Sequence, residues 1–215
     1  PAGITGASNQ ATAQTSISQT LSNSTSNSIV VIYTVTASFG TAPNVCTDTF
    51  TIAVTVNPQP SIADVVQTIC SGDTFTVTPT NTAPDVVPTG TTYTWTVAAP
   101  AGITGASDQA TAQTSISQTL TNTTSTSLSA IYTVTASVGT APNICTDTFT
   151  ITVTVNPKPS IADVTQAICT GNTFTVTPTN TAPDVVPTGT TYTWTVTTPA
   201  GITGASNQAT AQTSI

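Results

Sequence analysis

From Cys145 to Asn156 the chain alternates apolar and hydroxyl-bearing residues almost without a break, placing Phe149, Ile151, Val153 and Val155 on one face and threonines on the other. A period of two marks a strand with one buried and one wet side. Threonine suits the wet side, because its β-branched side chain favours extended backbone while its hydroxyl stays hydrated. Phe50, Ile52, Val54 and Val56 write the same pattern earlier in the chain. Gly, Pro and Asn turns delimit further predicted strands over 74–78, 91–97, 114–120 and 128–138, with a shorter, irregular one over 62–69 and an edge strand over 102–107. No segment has a helical period. About seven short strands in roughly 100 residues predict an all-β sandwich.

The pattern recurs because the sequence does. PAGITGAS begins at Pro1, Pro100 and Pro199, a period of 99 residues, and the copies differ by mild exchanges such as Ser22 for Thr121, Val45 for Ile144 and Ala53 for Thr152. Near-identity of this kind reports recent duplication, so recurrence alone marks no residue as functional. The frame is set by two proline-rich joints, Asn57-Pro-Gln-Pro60 and Asn156-Pro-Lys-Pro159. Paired prolines fix φ and withhold ladder hydrogen bonds, so strand pairing should stop there. One complete module is therefore expected over 58–157, with 1–57 the back part of the preceding module and 158–215 the front part of the next. Identical modules on short, semi-stiff joints repeat one rotation, which predicts an extended rod.

Composition narrows the chemistry. Charged residues make up 4% of the chain, as eight acidic residues, all Asp, and the single Lys158, with no His, for a net charge of -7. General acid–base and nucleophilic catalysis draw mainly on His, Glu, Lys or a base-activated hydroxyl, and this set is nearly absent, so no enzymatic activity is expected. Nucleic acid is excluded as a partner by the missing Lys/Arg patch. No apolar run reaches the roughly 18 to 20 residues that cross a bilayer as a helix.

Within the module frame, Thr91-Thr-Tyr-Thr-Trp95-Thr-Val97 puts a tryptophan in the third strand and Ile131-Tyr132-Thr-Val134 puts a tyrosine in the sixth. Immunoglobulin-like sandwiches carry a core Trp and a corner Tyr in these places, and Val134 stands where antibody domains have their second cysteine. Together TYTWTV, IYTVTAS, ICSG and CTDTFTITVTVNPKP resemble the PKD-like repeats of giant secreted surface adhesins of Bacteroidetes, the gliding-motility adhesins among them. The resemblance spans the whole chain. It implies an extracellular, cell-surface stalk or filament exported by the type 9 route. Its partners would be neighbouring repeats of the same chain, other copies in a filament, and a surface polysaccharide or substratum. Thr96-Val97-Ala98-Ala99 replaces the Phe-Gly-Asp-Gly that follows the Trp in ordinary PKD domains, so no role attached to that turn is carried over.

Candidate sites are few. The spacing of Cys46, Cys70, Cys145 and Cys169 fits no short metal motif, and an oxidising extracellular setting favours disulfides. Each full module has one cysteine near the end of its first strand and one before its last, which motivates a Cys70–Cys145 bridge; the alternative pairs Cys46 with Cys70 and Cys145 with Cys169 across the joints. Sequons at Asn23 and Asn122, and Asp-Thr pairs at Thr49, Thr74 and Thr148 that are similar to Bacteroidetes O-glycosylation sites, are candidate glycan positions. Asp48, Asp64, Asp85, Asp147, Asp163 and Asp184 lie near strand starts and loops, where turn capping is the preferred role and calcium at the joints the rival one, since that cation takes six to eight oxygens. No other cofactor is expected. Trp95 and Trp194 read as core residues rather than sugar platforms. Two further function classes stay open: a spacer or carbohydrate-binding module of a secreted enzyme, and an ice- or polysaccharide-binding face built from the Thr-x-Thr ladders.

Overall fold

The alternating stretch read above lies in the longest strand of the protein. The computed structural model describes residues 1–215. The first part of the chain forms β1 (Ile4–Thr5), β2 (Ser22–Asn23), β3 (Ile29–Thr41) and β4 (Asn44–Val56). Then follow β5 (Val65–Cys70), β6 (Thr74–Val77), β7 (Thr92–Ala98), β8 (Ile103–Thr104), β9 (Gln109–Gln113), β10 (Ile116–Thr119), β11 (Thr121–Asn122), β12 (Leu128–Thr140) and β13 (Asn143–Asn156). The last part holds β14 (Tyr192–Trp194) and β15 (Gln208–Gln212). There are no helices.

Residues 65–156 make two facing layers. One is a five-stranded sheet in the order β5-β13-β12-β7-β9; the other is the β6–β10 pair, with β8 and β11 pairing beside it. All pairings are antiparallel except β5 with β13, which runs parallel from Val65 opposite Ile151 to Cys70 opposite Asn156. The inward residues of the alternation meet in one core between Ile62 and Val155. Phe75 from the small layer packs against Tyr132 with tilted rings, centroids 5.0 Å apart, and Tyr93 meets Phe149 edge-on at 6.3 Å. Each such side chain taken out of water contributes about 1.5 to 3 kcal/mol, which offsets the ordering of the strands. Trp95 is buried on β7 and Val134 stands opposite it on β12, so apolar packing fills the place that antibody domains give to a disulfide.

The flanking parts repeat this geometry without its cover. The β3–β4 hairpin copies the β12–β13 register pair for pair, from Ile29 opposite Val56 to Thr41 opposite Asn44. Yet Phe50 is 46% exposed where its copy Phe149 is 3%, and Phe174 is 53% exposed where Phe75 is 1%. Residues 1–57 carry the hairpin without the small layer that covers it, and 158–215 carry the small layer's residues without the hairpin.

Two strand expectations change. The predicted edge strand over 102–107 shrinks to Ile103–Thr104, which pairs with β11, and the edge of the large sheet is instead β9, Gln109–Gln113. The strand expected over 114–120 is confined to Ile116–Thr119.

Candidate functional site

The module has two ends, and the joint brings unlike ends together. The β12–β13 turn, Thr140 to Asn143, lies at the entry end, where Asp147 Oδ2 accepts the Ile62 N–H at 3.2 Å. Asn156 and Cys70 mark the exit end. At the first joint the Gln59 amide donates to the Thr146 carbonyl at 2.9 Å. A cleft of about 420 Å³ opens there, lined by Ser26, Asn27, Ser28, Asn57 and Pro58 on one side and by Pro88, Thr89 and residues of the β12–β13 turn on the other.

The long loop between β6 and β7 supplies the direct contact. Asn81 Nδ2 donates to Ser26 Oγ of the preceding module at 3.0 Å while its Oδ1 accepts the Val87 N–H at 3.0 Å. At the second joint Asn180 Nδ2 reaches Ser125 Oγ at 2.8 Å and its Oδ1 accepts from Val186 at 3.0 Å. The loop is held for this task. Ser61 and Val86 exchange two backbone bonds, and Asp85 Oδ1 accepts the Ala63 N–H at 2.9 Å; Ser160, Val185 and Asp184 repeat both features. None of Asn81, Asn180, Ser26 and Ser125 was marked by the sequence, because isolated polar residues in loops carry no periodic signal.

The outer face of the large sheet is a hydroxyl lattice. Thr96, Thr133 and Thr150 form one cross-strand row, Thr94, Thr135 and Thr148 the next, and Thr92, Ser137 and Thr146 a third. Rows of a sheet repeat about every 6.7 Å along the strands and 4.8 Å across them. No charged side chain interrupts these nine positions.

The thiols do not pair as expected. All four cysteines are free. Cys70 stands opposite Asn156 and Cys145 opposite Val138, so the two lie at opposite ends of β13, eleven residues and about 36 Å apart, whereas bridged Cα atoms need to be within about 7 Å. The Cys70–Cys145 bridge is therefore ruled out. Its physical obstacle is the parallel β5–β13 pairing, which carries Cys70 to the exit end. The alternative pairs fail as well. Cys46 and Cys70 lie at the ends of β4 and β5 that are far from their shared joint, and Cys145 and Cys169 stand in the same relation in sequence to the second joint.

The Asn sequons are structural. Asn122 is 6% exposed; its Nδ2 donates to the carbonyls of Thr126 at 2.7 Å and Val155 at 2.8 Å, and its Oδ1 accepts from the Thr124 N–H and hydroxyl. Asn23 repeats these bonds with Asn27, Val56 and Thr25. A glycan on Nδ2 would replace one of its two hydrogens and so break one of the two bonds it donates at each site, and the buried Asn122 leaves no room for a sugar, which argues against Asn23 and Asn122 as glycan positions. Thr49 and Thr148 are exposed on strands, Thr148 within the lattice; Thr74 is exposed with its hydroxyl 2.6 Å from that of Thr119.

The carboxylates serve backbone donors. Asp64 Oδ1 accepts the Thr150 N–H at 2.7 Å, and bonds from the Thr150 backbone and side chain hold its pKa below the usual carboxylate value. Asp73, Asp85, Asp108 and Asp147 likewise accept from Cys70, Ala63, Val97 and Ile62. No three acidic or thiol side chains converge. Tyr132 donates to Gln118 Oε1 at 2.8 Å, Gln118 Nε2 donates to the Ser107 carbonyl at 2.7 Å, and Trp95 Nε1 reaches the same carbonyl at 3.1 Å. Burial pushes the Tyr132 hydroxyl up to about 12.

Seven principal strands, a core Trp on the third, a buried Tyr on the sixth and a first strand parallel to the last define an immunoglobulin-like sandwich. The family model for the PKD-like domain matches residues 2–60 and 67–159, and the chain belongs to that family. No curated protein matches the chain. No helix is long and apolar enough to cross a membrane.

Proposed function

We propose that this chain is a length of stalk or filament in a large secreted cell-surface adhesin, with 58–157 as its repeating unit and no catalytic role. The observation that carries the reading is the Asn–Ser contact repeated at both joints, 3.0 Å and 2.8 Å long, because a joint that recurs with one geometry stacks modules in series. Family membership supports a structural, extracellular role. The sequence resemblance adds adhesion, gliding and type 9 export. Antibodies raised against residues 58–157 should label intact cells of the producing organism; labelling only after permeabilisation would overturn the surface assignment. A purified repeat should show no hydrolase or transferase activity.

The hydroxyl lattice favours a second reading, docking of a neutral polysaccharide on the outer sheet. Uncharged, in-register hydroxyls match the hydroxyls of such a polymer without any charge to desolvate. Co-sedimentation with an insoluble glucan, lost in Thr94→Lys/Thr135→Lys, would support it. Absence of co-sedimentation would reject it and leave the stalk reading intact.

A further inference from the structure

We propose that successive modules are linked by a disulfide across each joint, between Cys70 of one module and the copy of Cys145 in the module that follows. The proposal rests on the serial stacking argued above. Cys70 is at the exit end of β5, exposed, beside Asn156. Cys145 is at the entry end of β13, opposite Val138 and next to Thr146. At the first joint Asn57, the copy of Asn156, lines the same cleft as Val138, and Gln59, two residues on, bonds the Thr146 carbonyl. The strand that flanks the position of Cys70 and the strand that carries Cys145 thus face each other across one cleft.

The two joints are copies, as their shared Asn–Ser contact shows. The first displays the Cys145 side and the second displays the Cys70 side. Neither joint within residues 1–215 contains both members of such a pair, and all four thiols are free. A bridge of this kind satisfies every cysteine of a longer array by one rule.

The oxidant is a small-molecule disulfide such as glutathione disulfide. One cysteine thiolate attacks it, forming a mixed disulfide and expelling one glutathione thiolate; the second cysteine thiolate then attacks the protein sulfur and expels the other. Two protein thiols lose two protons and two electrons, and one glutathione disulfide becomes two glutathiones.

The test lengthens the chain by one 99-residue period, repeating residues 117–215 after Ile215. This version has six cysteines and one joint with both partners. After equilibration with glutathione disulfide, thiols titrated in denaturant should fall from six to four, and Cys70→Ser should leave all five of its thiols free. The unlengthened chain should keep its four. Six free thiols in the lengthened chain, a bridge that persists in Cys70→Ser, or thiol loss within the unlengthened chain would each overturn the proposal. Small-angle scattering on the same samples separates the two ideas. A chain that grows by about 35 to 45 Å yet keeps six thiols rejects the bridge alone, while one that does not lengthen rejects serial stacking.

Discussion

Asn122 is a buried polar side chain that no apolar alternation singles out, and it ties two segments of the module together. Its amide joins the loop after β11 to the end of β13 by donating to the Thr126 and Val155 carbonyls. Replacement by alanine should cost about 2 to 3 kcal/mol, because the buried bond to the Val155 carbonyl and the bond from the Thr124 N–H are lost together. Urea denaturation of Asn122→Ala would show it, and a midpoint unchanged from the parent would contradict the structural role. The ionisable residues define the pH limits. Asp64 has a depressed folded pKa, so its contribution is present above the unfolded value of about 3.9 and is lost as pH falls through the folded value. Tyr132 has a raised one, so its contribution is complete below about pH 10 and is lost as pH rises toward 12. Thermal melts should therefore be level from pH 5 to 9 and decline on both sides, with Asp64→Asn weakening only the acid limb and Tyr132→Phe only the alkaline one.

At the scale of elements, what the sequence reveals depends on how apolar residues are spaced. β13 was legible because Phe149, Ile151, Val153 and Val155 alternate strictly with polar residues, and all four are buried. β9 was not, since Gln109-Ala-Thr-Ala-Gln113 has no apolar face and its pairing with β7 shifts register between Tyr93 and Trp95. The Cys70–Cys145 bridge expected from spacing fails for a topological reason. An antiparallel β5 would have set Cys70 beside the start of β13, near Cys145, and sequence spacing does not distinguish the two directions. The hairpin at the entry end offers a test. Gly139 has φ of +104°, and a Cβ there would lie 2.5 Å from the Asn143 carbonyl oxygen. Gly139→Ala should destabilise the module by about 2 to 3 kcal/mol and disturb the turn that faces the preceding module. A melt within 1 °C of the parent would refute this.

For the whole molecule, the decisive contact is the one between modules. With the Asn81–Ser26 bond in place, two-, four- and six-module arrays should lengthen by about 35 to 45 Å per module, the axial length of a strand of about 12 residues. Ser26→Ala, made at the equivalent position of every module, should leave each module's stability within about 0.5 kcal/mol, as that hydroxyl bonds Asn81 across the joint and nothing within its own module, but shorten the maximum dimension of a six-module array by loosening each joint. Equal dimensions for parent and variant would move the source of stiffness to the prolines. The joint was only half legible: its prolines announced a connector, while the loop from Thr78 to Gly90 gave no sign that it reaches the neighbour.

The parallel register of β5 and β13 has a mechanical consequence. Tension along the array enters a module at the start of β5 and leaves at the end of β13, so it slides these two strands past each other and loads the ladder from Val65 to Cys70 all at once. Force applied between Leu128 and Val155, at the open end of the β12–β13 hairpin, would instead unzip it one pair at a time toward the Thr140–Asn143 turn. Single-molecule pulling through the ends of the module should therefore rupture it at several times the force needed when the handles are attached at Leu128 and Val155. Shear resistance of this kind suits a tether whose load always runs along its length, and equal rupture forces in the two directions would deny it.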